Sequence, residues 1–381
     1  MSPRRINELP GRSGIREMMD LAATLENVIH LEIGEPDFPT PPHVVEAVQK
    51  ALHGGNVKYT LSRGDAHLRD LIAEKLRQRN GIEGQPERIV VTIGGTSAVF
   101  AALLATVNGG DGVLIPDPGW PTFEVATLLA RGRPLHYRLS PESGFQPDLD
   151  EIDRLARDAR VLVLNSPSNP TGAVLPRATV ERILEIAARH DLLILSDEVY
   201  EEIVFDGETV SPASIDQDGR VISVFSFSKD YAMTGWRIGY LHGSPEIVEA
   251  VVKIEEAMIA CPSWPAQRAA EAALVGPKDV LATRRAEYRE RRDVAAQRLE
   301  QHGLLTGRPA GAFYILARVG PPDLDTFEFS RRLLMQEHVA VAPGETFGPS
   351  GAGLVRLSLA SSPEIIATGI DRLARFVSAA P

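Results

Sequence analysis

The sequence predicts an α/β protein: a mainly parallel sheet covered by helices, followed by a smaller α+β unit. Three observations carry that expectation. Short apolar, β-rich runs alternate with longer stretches of helical periodicity over most of the chain, as strand–helix–strand crossovers require. From about Val275 the pattern changes to a long charged helical stretch, then strand-like AFYILARV, a further helix and strand-like LVRLSLA. At 381 residues the chain also exceeds what one compact core usually serves.

In chain order, the first forty or so residues end in the turn-rich GEPDFPTPP and read as an arm packed on the second unit. The clearest strands are 88–93, 112–116, 160–165, 192–196 and 221–225, each a short apolar run of the buried type. Between them, 178–190 repeats Val180, Ile183, Leu184 and Ala187 on one face, as a covering helix does. The expected division is 1–44 for the arm with part of the small unit, 45–275 for the large unit and 276–381 for the small one. No internal repeat or low-complexity tract interrupts it.

Composition narrows the functional classes. Charged residues make up 24% and hydrophobic ones 44%, the balance of an ordinary globular protein. A formal net charge of -11 disfavours nucleic acid, and Arg284, Arg285, Arg289, Arg291 and Arg292 alternate with acidic neighbours instead of forming a basic stripe. The single cysteine, Cys261, excludes an intramolecular disulfide and fits a reducing cytosol. The opening MSPRRINELPGRSG has no apolar core or cleavage site, and no run approaches a membrane span. A cytoplasmic protein without a metal site or membrane partner is expected.

Chemistry concentrates where the strands end. Ser226-Phe227-Ser228-Lys229 follows the apolar run VISVF, an unusual place for lysine, whose ordinary position is the solvated surface. A Schiff-base lysine must lose its proton near neutral pH, and desolvation with a nearby cation such as Arg237 favours that loss. Asp197, in LLILSDEVY, lies just past a hydrophobic strand, where a carboxylate needs a cationic partner unless it caps a helix. With Lys229 present, a pyridinium suits it: an ionised Asp197 keeps a ring nitrogen protonated so that the ring accepts electrons. Tyr200, three residues on, offers a phenolate a hydrogen bond or is simply a packing residue. The third strand end reads NSPSNPTG, residues 165–172, a proline-restricted turn that aims asparagine side chains.

Taken in order, NSPSNPTG, SDEVY and SFSKDYAMTGWRIGY resemble the signature motifs of the pyridoxal 5′-phosphate-dependent class I/II aminotransferases, the aspartate aminotransferase family. The resemblance spans nearly the whole chain. It implies the fold-type I architecture, a mainly parallel seven-stranded sheet with helices on both faces and a smaller α+β domain. It further implies Lys229 as the Schiff-base lysine and proton shuttle, Asp197 as partner of the pyridine nitrogen, and Asn169 and Tyr200 on the phenolate oxygen. Gly95, Thr96, Ser226 and Arg237 match the phosphate site, and a helix N-terminus with a guanidinium suits a dianion. Trp120, in PDPGWPTF, matches the aromatic residue stacked on the cofactor ring. Tyr59, in KYTLSRGD, matches the tyrosine that reaches the partner subunit's cofactor, which implies a homodimer with composite sites.

For the substrate, Arg356 in VRLSLA matches the family's carboxylate arginine, whose fork orients the Cα–H bond. Gly34 in LEIGEPDF matches a glycine beside the substrate, and Asn169 and Trp120 line the same place. Some relatives carry a lysine near the phosphate loop for acidic substrates; here GGTSAVF has Thr96 and Ser97, which weighs against an aspartate preference. Trp264, in ACPSWPAQ, either narrows the pocket toward aromatic or medium apolar side chains or is ordinary packing. The reaction implied is ping-pong transfer of an amino group between an L-amino acid and a 2-oxo acid. Two rivals stay open: a lyase of the same fold, because shared cofactor residues do not fix which bond breaks, and a non-catalytic cofactor-binding regulator. The latter is disfavoured by the acidic balance and by the absence of a DNA-binding module before Gly34.

Overall fold

The computed structural model describes residues 13–379; the first twelve residues of the expected arm and the last two of the small unit lie outside the described residues. Its strands are β1 (Ile29–His30), β2 (Ile89–Thr92), β3 (Gly112–Asp117), β4 (Arg133–Arg138), β5 (Ala159–Asn165), β6 (Leu193–Asp197), β7 (Val221–Ser226), β8 (Gly239–His242), β9 (Tyr314–Arg318), β10 (Val339–Ala340), β11 (Ala342–Pro343) and β12 (Leu354–Ser358). Seven of them form one sheet in the order β2-β8-β7-β6-β5-β3-β4. All neighbours are parallel except β8, which runs antiparallel to both β2 and β7. This is the mainly parallel seven-stranded sheet that the resemblance implied.

The five strands legible in sequence are β2, β3, β5, β6 and β7, whose buried residues on both faces make continuous apolar runs. The other two carry weaker signals. β4 is an edge strand with one residue of six fully buried, and β8 spans only four residues after a polar turn. The covering helix runs Arg177–Arg189 and buries Val180, Ile183, Ile186 and Ala187. Ile186 takes the place expected for Leu184, which is only half-buried, because the buried stripe follows the helix's own rotation.

β9, β11 and β12 form a separate antiparallel sheet in the order β11-β12-β9. The helices Asp279–Gln301, Thr326–Glu337 and Pro363–Ala379 flank it. The arm joins this layer: β1 pairs in parallel with β10, and Met18 and Ala22 of the Gly14–Ala22 helix pack on Leu334 and Ala340. On these contacts we propose that the division near residues 44 and 275 separates the units. Among the described residues, no helix is long and apolar enough to cross a membrane.

The mixed-charge sequence of the Asp279–Gln301 helix hides a departure from its surface-like appearance, since Arg284, Arg291 and Arg292 are buried. Arg291 grips Asp37 through both terminal nitrogens at 2.7 and 2.9 Å. Arg284 donates to the carbonyls of Pro39 (2.7 Å) and Asp230 (3.1 Å), and Arg292 to Asp206 (2.6 Å) and the Pro309 carbonyl (2.7 Å). Sequence periodicity could not find them, because their partners lie in remote segments. Arg292→Ala would leave a buried carbonyl unsatisfied and a void, and is expected to destabilise the protein by about 2–4 kcal/mol. Arg177→Ala, at an exposed pair with Glu181, is expected to change stability by less than about 0.5 kcal/mol. Denaturant midpoints of the two variants check the contrast.

Candidate active site

The carboxyl ends of β5, β6 and β7 open toward the small unit, the position where parallel sheets bind ligands. β5 ends at Asn165 and releases NSPSNPTG, β6 ends at Asp197, and β7 ends at Ser226. Lys229 follows one helical turn later, on Phe227–Asp230, not at the strand end itself. Facing them are β9, β12 and the arm segment around Gly34.

Lys229 is half-buried, and its Nζ donates to the Gly34 carbonyl at 2.7 Å. It lies 6.0 Å from the Tyr200 ring centre and 5.8 Å from that of Phe313. Desolvation lowers its pKa to about 8, helped by Arg356 and Arg237 and opposed by Glu35 and Asp197. Asp197 is buried, and burial raises its carboxyl to about 7 against the pull of the Val199 N–H and Lys229. Its Oδ1 accepts from the Val199 amide at 3.3 Å, but no helix follows, so the N-cap alternative does not hold.

Asn169 is fixed from behind. Its N–H donates to Asn165 Oδ1 at 2.8 Å, and Asn165 Nδ2 in turn donates to the Asp197 carbonyl at 3.1 Å. The Asn169 Oδ1 accepts from Arg356 Nη1 at 3.0 Å. Arg356, on β12, is 1% exposed and also donates to the Glu32 carbonyl. Its Nε has no partner, and no carboxylate among the described residues forms an ion pair with it. A buried cation in that condition is costly, and a ligand carboxylate would satisfy it. Tyr200 is buried, with its hydroxyl 2.8 Å from that of Tyr314.

At the other end, Gly94 has φ 90° and leads into the Gly95–Thr106 helix, whose first turn has no side-chain cap. A Cβ on Gly94 would stand 2.6 Å from Arg237 Nη2, so the absent side chain makes room for the guanidinium. Arg237 donates to the carbonyls of Thr234 (2.9 Å) and Ile93 (3.3 Å), and Ser226 Oγ accepts from the Ser228 amide at 3.1 Å. Free helix-start N–H groups, a hydroxyl and a guanidinium form a cradle for a phosphate dianion. With an amine of lowered pKa, a buried carboxyl and hydrogen-bonding groups between them, the set fits pyridoxal 5′-phosphate.

The remaining expected residues lie around this cluster or apart from it. Trp120 is half-buried and edge-on to Phe123 at 5.4 Å, in a loop held by the Gly119 N–H to the Phe347 carbonyl at 2.7 Å. Thr96 is half-buried on the first helical turn, whereas Ser97 turns inward to the buried Glu255. Trp264 packs against Arg268 at 5.5 Å. Tyr59 is 89% exposed, free to meet something outside its own chain. Sequence reading missed Tyr314, Phe313 and Phe347. AFYILARV and the GETFGPSG loop carry only strand and turn signals, and nothing local marks these rings as neighbours of Arg356 or Lys229.

The chain matches the family model described as aminotransferase class I and II over residues 26–373. It is 40% identical to the aspartate aminotransferase of Pyrococcus abyssi, covering 96% of each chain. It is 39% identical to aromatic-amino-acid aminotransferase 2 of Thermococcus litoralis, again over 96% of each. Among solved structures, the Thermus thermophilus aspartate aminotransferase with maleate superposes with a TM-score of 0.93 at 35% identity, covering 99% of both chains.

With its pKa lowered to about 8, the Lys229 amine of the cofactor-free protein is neutral above that pH and protonated below it. Reductive trapping of a simple aldehyde on Lys229 is therefore expected to rise with a midpoint near pH 8, while surface lysines follow one near about 10.4. Peptide-resolved mass spectrometry across pH measures both, and a midpoint for Lys229 equal to the surface value would contradict the assigned environment.

Proposed function

The chain belongs to the class I and II aminotransferases, pyridoxal 5′-phosphate enzymes that move an amino group between an amino acid and a 2-oxo acid, and we propose that Lys229 carries the cofactor and moves the proton in that exchange. The reading rests on one observation: an amine of lowered pKa, a buried carboxyl and a buried guanidinium that pairs with no carboxylate among the described residues converge at the ends of parallel strands.

Bound pyridoxal 5′-phosphate supplies a conjugated ring that accepts the electron pair left when the substrate Cα loses its proton. The chain's residues arrange that loss. Arg356 receives the substrate carboxylate in its fork and so aims the Cα–H bond toward Lys229. Lys229 would take the proton from the substrate Cα, and an amine with its pKa lowered to about 8 can both accept and return it. Asp197 holds a proton against the ring nitrogen, while Asn169 and Tyr200 address the phenolic oxygen. Gly95, Thr96, Ser226 and Arg237 anchor the phosphate. Trp120 offers its flat face to the ring, and Gly34 leaves space beside the substrate.

A single carboxylate-binding arginine serving both amino acid and 2-oxo acid implies that the two substrates bind in turn, the ping-pong order. The exposed Tyr59 supports a homodimer in which each chain lends its tyrosine to the other's phosphate site. Acidity, the single half-buried Cys261 and the soluble character of the composition support a cytoplasmic enzyme.

Lys229→Ala is expected to lower kcat by about 10²–10⁴-fold or more. Arg356→Lys, which loses the bidentate fork, is expected to reduce kcat/KM by about 10- to 100-fold. Conversion of the cofactor's visible band to the aminated form by a panel of amino acids, with assay of the 2-oxo acid, measures both; pyruvate with ammonia would instead signal a lyase. Composite sites have a separate test. Mixing Lys229→Ala chains with Tyr59→Ala chains is expected to restore activity through heterodimers that keep one complete site, and no recovery after subunit exchange would exclude sharing.

A further inference from the structure

We infer that Tyr314 is a positioning residue that holds the Tyr200 hydroxyl toward the cofactor and links it to the carboxylate-binding Arg356. The inference rests on the roles proposed above for Tyr200 and Arg356. Tyr314 opens β9, is 1% exposed, and places its hydroxyl 2.8 Å from that of Tyr200. The Arg356 guanidinium lies over the Tyr314 ring at 4.3 Å, close enough for cation–π attraction. The arm leaves room for this arrangement: a Cβ on Gly34 would stand 1.9 Å from the Tyr314 hydroxyl. The two rings meet edge-on at 5.6 Å, one from the large unit and one from the small.

A hydroxyl has one proton to give. If Tyr200 gives its proton to the cofactor's phenolic oxygen, the Tyr200 oxygen must accept from Tyr314, and the two bonds in series polarise each other. Asn169 and Tyr200 then both connect to Arg356, the former directly and the latter through Tyr314. The other charged groups acting here are Asp197 from β6, Lys229 from its helical turn, Arg237 near the phosphate cradle, and Glu32 and Glu35 from the arm. Tyr288 of the long helix faces Tyr314 as well. Removing one hydroxyl leaves all of these in place.

A donor on the phenolic oxygen favours its anion most when the nitrogen of Lys229 is unprotonated, because that charge then has least compensation nearby. Weakening the donor should therefore raise the pH midpoint of the holoenzyme's visible absorption band. The experiment is a spectrophotometric pH titration of wild type, Tyr314→Phe, Tyr200→Phe and the double variant. Tyr314→Phe is expected to raise the midpoint by about half to one pH unit. Tyr200→Phe should raise it further, and the double variant should not exceed Tyr200→Phe, since both act through one chain of bonds. Gly34→Ala, which pushes the Tyr314 hydroxyl aside from the arm, should shift it in the same direction and serves if Tyr314→Phe folds poorly. A midpoint that moves for Tyr200→Phe but not for Tyr314→Phe or Gly34→Ala, or a lowered melting temperature alone, overturns the inference and leaves Tyr200's role standing. If Tyr200→Phe moves nothing, the assignment of Tyr200 falls and the inference with it.

Discussion

Arg356 carries a buried charge that pairs with no carboxylate among the described residues, and much of the site is arranged around that cost. Asn169 Oδ1 and the Glu32 carbonyl accept two of its N–H groups, and the faces of Tyr314 and Phe347 lie at 4.3 and 4.9 Å. Each contact comes from a different segment: the turn after β5, the arm, β9 and the loop before β12. The guanidinium is held but has no paired carboxylate among the described residues, the condition in which an arriving carboxylate gains most. The same charge adds to desolvation in lowering the Lys229 pKa to about 8.

The arm supplies backbone carbonyls to both Lys229 and Arg356. The Gly34 carbonyl accepts from Lys229 and the Glu32 carbonyl from Arg356. Its path is fixed from the far side by the long helix, where Arg291 holds Asp37 and Arg284 holds the Pro39 carbonyl. Arg284 also reaches the Asp230 carbonyl, next to Lys229. One helix thus braces both the arm and the turn that bears Lys229, so packing at a distance sets where that side chain and the arm carbonyls stand.

Legibility differed between elements for physical reasons. β3, β5, β6 and β7 were readable because strands buried on both faces must be apolar throughout, whereas the edge strand β4 had no such obligation. Lys229, Asp197 and Asn169 stood out in the sequence because a charged or amide side chain at or just past the end of such a strand has few ordinary uses. Arg284, Arg291 and Arg292 misled, since a charged helix looks the same in sequence whether its arginines meet water or remote carbonyls.

What the sequence determined by itself was the sheet-and-helix class, the order of the strand ends and the chemical groups set upon them, because hydrophobic periodicity and local turn chemistry act over a few residues. The tertiary structure alone decided which distant residues meet: Tyr200 with Tyr314 across 114 positions, Arg356 with Asn169 across 187, and Lys229 with Gly34 across 195. Such pairings depend on how two packed layers and an arm come together, and a hydroxyl, a carbonyl or a glycine carries no local mark of the partner it will find.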